Sequence, residues 1–467
     1  MVFGGILVVI FDDWGTIETS YYQRINSMST NTLPSHIHKR LANGLNVILA
    51  PLQTKSVTVL AMVGTGSRFE TAKTSGISHF LEHMVFKGTK NYPSARELSG
   101  AVDSVGAEFN AFTSKEYTGY YVKAAGEHVH LALDVVSDML LTPILGTEEM
   151  EREKGVIVEE IHMYEDTPAR HIGDLFERMM FAGSALGRDI IGTEKTVRSF
   201  SRETFSTHLE QWYGLSNVVL AVAGDDSVVT NELLTQISQL FEKQHSKREH
   251  KETPEIIQKI RGNSLTTGKR IHVEYKDTQQ AHFVMAFEGL QRKDPDQYAA
   301  TILSTLLGGN MSSRLFTEVR EKRGLCYYVR ADDDSYHDVG IFGASAGVDP
   351  SRVEEAVKVV REQLHLVTEE SGASAITEEE VVKAKNHAIG STILHMEDSM
   401  SIAQFYAGRK LLRGEIIEPE DELNRLRDVT FDDVRRVAKR LCNQEKIYFS
   451  IIGPYKDEGL FEKNLSL

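Results

Sequence analysis

From residue 36 onward the chain alternates short apolar runs with longer amphipathic ones. HKRLANGLNVILAPL reads as a strand, a turn at Asn43-Gly44 and a second strand. SVTVLAMV, residues 56–63, is a β-rich run of the buried-strand type. Helical spacing of apolar positions predicts helices over 73–87, 94–105 and 127–141, and another from Thr147 to Asp166. Between them, EFNAFTSKEYTGYYVKAA (108–125) is rich in Thr, Tyr and Phe and predicts two strands joined by a turn. NVVLAVA (217–223) predicts a further strand, closed by Gly224. A charged stretch, EKQHSKREHKETPE (242–255), breaks the pattern and reads as a solvated linker.

The same order of elements then recurs at an offset of about 220 to 230 residues. AGEHVHLALDVVSDML (125–140) resembles AGVDPSRVEEAVKVVREQL (346–364), and TEEMEREKGVIVEEI (147–161) aligns with TEEEVVKAKNHAIGS (377–391). FSRETFSTHLEQWYGLSNVVLAVAG (200–224) follows the pattern of VTFDDVRRVAKRLCNQEKIYFSIIG (429–453). The expected fold is α+β: two homologous domains, each an antiparallel sheet packed against helices. Expected boundaries are an N-terminal extension at 1–35, a first domain at 36–241, a linker at 242–267 and a second domain at 268–467. The copies differ in polar residues. The second has no histidine opposite HFLEH, has Lys383 opposite Glu153, and has Gly390 opposite Glu160.

Composition narrows the class. A chain of 467 residues exceeds one ordinary core, and 41% hydrophobic with 25% charged residues is a soluble globular profile. The net charge of −15 argues against nucleic acid and against anionic membrane surfaces. Cys326 and Cys442 stand far apart outside any CxxC pattern, so free thiols are expected rather than a disulfide framework or a cysteine-based zinc site. MVFGGILVVIF at the start is too short to span a bilayer and lacks the basic region of a secretory signal. It is expected to be an unstructured extension, or an upstream start ahead of Met28, and the protein to be cytoplasmic.

Chemistry concentrates in HFLEHMVFKGT (79–89). On a helix, His79 and His83 lie one turn apart on one face, so two imidazoles can meet one ion. Glu82 projects near that face. Imidazole suits zinc, and a catalytic zinc takes three protein ligands with one open position. Glu82, not a ligand, can take a proton from an activated water and pass it to a leaving amine. The order H-x-x-E-H is the inverzincin motif. On the pentapeptide alone, a polar helix face remains the competing reading. EREKGVIVEEI adds Glu153 and Glu160, two helical turns apart on one face, with Val156 and Ile157 lending an apolar side. Solvated surface acids are the competing reading there.

HFLEHMVFKGT followed by EREKGVIVEEI resembles the pitrilysin family of inverzincin metallopeptidases, and most closely its processing-peptidase branch. GAEFNAFTSKEYT (106–118) and GGNMSSRLFTEVREKRGLCYYV (308–329) extend the resemblance over residues 36 to 455. It implies a zinc-dependent metalloendopeptidase with His79, His83 and Glu160 as zinc ligands and Glu82 as general base. Glu153 would support the site from behind the ligands. Asn110 and Ala111 match the edge strand on which the family's substrates lie. Arg320 and Tyr327 match a pair that holds substrate and helps stabilise the oxyanion. The resemblance also implies one zinc per chain and a dimer, homomeric or heteromeric, in which Arg320 and Tyr327 of one subunit face the zinc of the other. The alternative is a non-catalytic or regulatory partner subunit of a heterodimeric processing peptidase.

Overall fold

The structure, a computed structural model, describes residues 35–242, 270–442 and 446–465. Nearly all of the expected N-terminal extension and linker lies outside them. The first half forms a sheet from β1 (Ile37–Arg40), β2 (Asn46–Leu52), β3 (Ser56–Val63), β4 (Glu108–Thr113), β5 (Thr118–Ala125) and β6 (Val218–Asp225), in the order β1-β2-β6-β3-β5-β4. The second half forms another from β7 (Ile271–Tyr275), β8 (Ala281–Gly289), β9 (Cys326–Ser335), β10 (Gly340–Val348) and β11 (Tyr448–Gly453), in the order β7-β11-β8-β10-β9. Apart from β1, the second order repeats the first strand for strand. In each half the last strand returns to the middle of the sheet, β6 between β2 and β3 and β11 between β7 and β8, and lies parallel to β2 and to β7 respectively. All other pairings are antiparallel. The repeat read from sequence is therefore a repeat of topology, and α+β describes both halves.

Helices α1 (Ile77–Val85), α2 (Val129–Leu141), α3 (Thr147–Glu165) and α4 (Pro168–Met180) belong to the first half. Helices α5 (Gln297–Gly308), α6 (Val353–Leu366), α7 (Glu378–His395) and α8 (Ser399–Gly408) belong to the second. Side chains alternate across a strand. Val57, Val59 and Ala61 of β3 therefore join the core formed with α1, α2 and α3. Leu60 and Met62 point to the opposite face, where α8 of the second half covers them with Ile402, Ala403, Tyr406 and Ala407. The exchange is reciprocal: α4 of the first half lays Ile172, Leu175, Phe176 and Met180 on the outer face of the second sheet, against Ala286, Tyr448 and Ile452. This explains why SVTVLAMV reads as continuously apolar, since seven of its eight positions are buried.

Charge reinforces the junction. Arg68 is fully buried and pairs with Glu116 of its own half at 2.5 Å and with Asp338 of the other at 2.5 Å. Glu116 also meets Arg292 at 2.5 Å and accepts the His337 backbone N–H at 3.0 Å. Buried charges need such pairing, because desolvation otherwise costs several kcal/mol per ion, on the order of the whole stability of a domain. Among the described residues no helix is long and apolar enough to cross a membrane.

Candidate metal centre

Helix α1 is the scaffold of the site. Ile77, Phe80, Leu81, Met84 and Val85 are buried, which leaves His79, Glu82 and His83 on the remaining stripe. The helix starts later than its periodicity suggests, at Ile77 rather than near residue 73. Gly76 precedes it at φ +94°, a left-handed conformation that favours glycine. No side chain at Gly76 can cap the helix, so the cap comes from a distance. The buried Glu70 carboxylate accepts the N–H of Gly76 at 2.7 Å and of Ser78 at 2.8 Å. Burial, opposed by those two bonds, pushes the Glu70 carboxyl up to about 7.

Helix α3 brings Glu153 and Glu160 to α1. His79 Nε2 lies 3.7 Å from Glu160 Oε1, and His83 Nε2 lies 3.4 Å from Glu160 Oε2. One ligand atom from each of these three side chains falls within 4.8 Å of the other two. Zinc bonds of about 2.1 Å in a tetrahedron put neighbouring ligand atoms about 3.4 Å apart, so the cluster has the dimensions and donor types of a zinc site. The three side chains keep 12%, 22% and 21% exposure for His79, His83 and Glu160, which leaves the cluster partly open on one side.

Behind His83 stands a relay. His83 Nδ1 meets Glu153 Oε1 at 2.9 Å, and Lys87 Nζ meets Glu153 Oε2 at 2.6 Å. An imidazole whose second nitrogen faces a carboxylate is fixed in tautomer and orientation. Burial and the neighbouring His83 push His79 down to about 4, so its lone pair is free at neutral pH. Burial opposes a charge on His83, but Glu153 and Glu160 outweigh it and push His83 up to about 9. Burial acts upward on Glu153 and Glu160 as well, and their histidine contacts (with Lys87 for Glu153) hold both below the usual carboxylate range. Two imidazoles and the Glu160 carboxylate are donor types that zinc takes, and its binding would displace the proton from His83.

Glu82 stands apart from the ligand cluster. Its Oε2 accepts the Thr113 hydroxyl at 2.5 Å, and burial raises its carboxyl above the ordinary value. Thr113 ends β4, which is the edge strand of its sheet. Asn110 is exposed on that strand, and its side-chain oxygen accepts the Ala111 N–H at 2.9 Å, so this N–H is outside the sheet ladder. A free edge can receive an extended peptide, which here would take the Ala111 N–H from the Asn110 side chain.

Arg320 and Tyr327 sit in the second half, on a helical turn (Phe316–Glu321) and at the start of β9. The Arg320 guanidinium lies 4.8 Å from the Phe316 ring centre and 5.9 Å from that of Tyr327. Tyr327 is 74% exposed. Among the described residues no hydrogen bond or ion pair joins either to the histidine cluster. Val156 departs from the expected apolar side: Ile157 is buried, but Val156 is 51% exposed, one turn before Glu160 on the face overlooking the cluster. His130 and His162 are exposed, His36 meets Glu418 and His38 meets Asn46, so these stay outside the site. Cys326 and Cys442 are free thiols. Thr113, Lys87 and Glu70 were not singled out by sequence patterning. Only Thr113 left a signal there, as it shares the strand parity of Ala111.

Two family profiles match the chain: one described as insulinase, peptidase family M16, over residues 46–194, and one described as the peptidase M16 inactive domain, over 199–387. The first span contains His79, Glu82, His83, Glu153 and Glu160, and the second contains Arg320 and Tyr327. A Streptomyces coelicolor protein described as an uncharacterized zinc protease is 37% identical over 419 residues, 90% of this chain and 89% of its own. An Arabidopsis thaliana protein described as a probable mitochondrial-processing peptidase subunit beta is 30% identical over 429 residues, 89% of this chain and 78% of its own. A crystal structure of a Helicobacter pylori protease shares the fold with a TM-score of 0.78 at 24% identity, over 90% of this chain and 100% of its own.

Proposed function

The chain belongs to the insulinase family of M16 peptidases, and from that premise we propose that it is a zinc metalloendopeptidase acting on peptides in extended conformation. The observation that carries this reading is the convergence of both imidazole Nε2 atoms on Glu160, with Glu82 beside them and a free strand edge next to Glu82. His79, His83 and Glu160 are the residues that would hold the zinc. When bound, zinc acts as a Lewis acid on the scissile carbonyl and on water. Glu82 takes the proton of the attacking water and delivers it to the amine leaving group. Its elevated carboxyl suits a group that must accept and then release a proton. Glu153 holds His83 in orientation, and Lys87 holds Glu153. Asn110 and Ala111 offer the edge on which the peptide backbone lies, with main-chain hydrogen bonds that make little demand on sequence.

The same reading takes residues 36–241 as the zinc-binding domain and 268–467 as the domain that completes the substrate site. Arg320 and Tyr327 then serve the zinc site of a second chain, binding substrate backbone and stabilising the oxyanion. Among the described residues no hydrogen bond or ion pair joins them to the histidine cluster, and this, with the exposure of Tyr327, favours the cross-chain assignment over service within one chain. The assembly is a dimer, of two copies or with a different subunit.

Purified protein of known size should bind one zinc per chain and cleave a quenched fluorescent peptide, losing activity to a chelator and regaining it with zinc. For the composite site, Glu82→Gln protein and Arg320→Ala protein are each expected to be inactive. Mixed and allowed to exchange subunits, they regain part of the wild-type rate. Inactivity of every mixture, with exchange verified, would contradict the composite arrangement.

A further inference from the structure

With Glu82 as base, the question becomes what fixes its carboxylate. Among the described residues its one hydrogen-bond partner is Thr113, whose hydroxyl donates to Oε2 at 2.5 Å. A glutamate carboxylate swings on three rotatable bonds, whereas a threonine on a strand is stiff at χ1.

The backbone just past Thr113 is clamped. Ser67 donates its N–H to the Ser114 carbonyl at 3.2 Å, and Arg68 donates its N–H to the Lys115 carbonyl at 2.8 Å. The approach is so close that a Cβ at Gly66 would sit 2.2 Å from the Ser114 oxygen. Lys115 is buried, donates to the Arg188 carbonyl at 2.8 Å and pairs with Glu177 at 2.8 Å. Glu116 is gripped by Arg68 and Arg292, one from each half. Thr113 is thus the last residue of the free edge strand and the first before a segment bolted to both halves.

Strand parity adds the functional link. Ala111 and Thr113 share one face and one hydrogen-bonding direction, and the Ala111 N–H lies outside the ladder. A peptide paired with β4 would therefore be placed in register with the residue that holds the base.

We infer that Thr113 is the positioning residue for Glu82: its hydroxyl pins one carboxylate oxygen and leaves the other for proton transfer, so that the strand receiving the peptide also aims the base. This inference rests on the proposed peptidase reading. It adds a residue to that site and a physical link between substrate docking and proton transfer.

The test compares Thr113→Val, which keeps the shape and removes the donor, with Thr113→Ser, which keeps the donor. Each is purified with zinc content, unfolding temperature, kcat and KM measured on one fluorescent peptide, alongside wild type and Glu82→Gln. A hydrogen bond to a charged group supports a loss of about 10- to 100-fold in kcat for Thr113→Val. KM is expected to stay within about threefold and zinc at one per chain, while Thr113→Ser recovers kcat to within about threefold of wild type. Thr113→Val with wild-type kcat overturns the inference, provided Glu82→Gln is inactive. Equal loss in Thr113→Val and Thr113→Ser overturns it too, as does loss of zinc from Thr113→Val, since the role would then be structural. Activity retained by Glu82→Gln removes the base assignment itself and the inference with it.

Discussion

At the scale of single residues, the site is a division of labour set by small differences in environment. His79 and His83 are one turn apart on the same helix, yet burial, with His83 beside it, pushes His79 down to about 4, while Glu153 and Glu160 together outweigh burial and push His83 up to about 9. Glu153 is consequently more than a neighbour. Loss of such a partner typically costs 10- to 100-fold in metal affinity or activity. Glu153→Gln should weaken zinc binding by about 10-fold or more in a chelator competition, with the fold intact by circular dichroism; unchanged affinity would remove Glu153 from the site. Much of this scale was legible in sequence. Helical spacing alone placed His79 with His83 and Glu153 with Glu160, because residues on one helix have a known mutual geometry. Which acid meets which imidazole depends on how α1 packs on α3, and no periodicity encodes that. Thr113 and Lys87 act as single polar atoms across such packing, so they left no pattern beyond strand parity.

At the scale of elements, the motif helix begins without a cap of its own. Gly76 turns the chain, and Glu70, from the loop before it, supplies the missing acceptor. Its carboxyl stands at about 7 in the fold against an ordinary value of 4.5. The folded state therefore keeps a proton that the unfolded chain releases between those two values, and this group's contribution to stability falls as pH rises through that window. Above about pH 7 the loss is complete. Relative to Glu70→Gln, wild type should lose on the order of 3 kcal/mol between pH 4.5 and pH 7.5, read from urea unfolding at both values. A difference between the two proteins that stays constant with pH would show that Glu70 does not titrate this way. Patterning found the existence of α1, α2, α3 and β1 to β6, and missed the start of α1. The reason is physical: the turn at Thr71–Gly76 is held by side-chain bonds and a glycine conformation, and with Ala72 as its one apolar residue it carries no periodicity that marks where the helix starts.

At the scale of the whole molecule, each half closes the other's sheet. Helix α8 from the second half buries the outer face of the first sheet, and α4 from the first buries the outer face of the second. The repeat was legible because both copies keep the same order of elements, but the exchange of helices was not. A helix that will cover a neighbouring domain has the same amphipathic stripe as one that covers its own. The two halves should accordingly unfold in one cooperative transition. Ile402→Ala, in a second-half helix but fully buried against the first sheet, should cost about 2–5 kcal/mol and lower that single transition as a unit. Two resolved calorimetric transitions, with only one displaced by the substitution, would contradict the exchange as a source of cooperativity.

The central claim is that the side chains gathered on α1, α3 and β4 make a zinc peptidase in which Glu82 moves the proton. The most direct measurement is kcat of Glu82→Gln on a quenched fluorescent peptide, with zinc per chain determined on the same sample. One zinc per chain, as in wild type, and a rate at least about 100-fold lower are expected. Near wild-type turnover by zinc-loaded Glu82→Gln protein would contradict that claim.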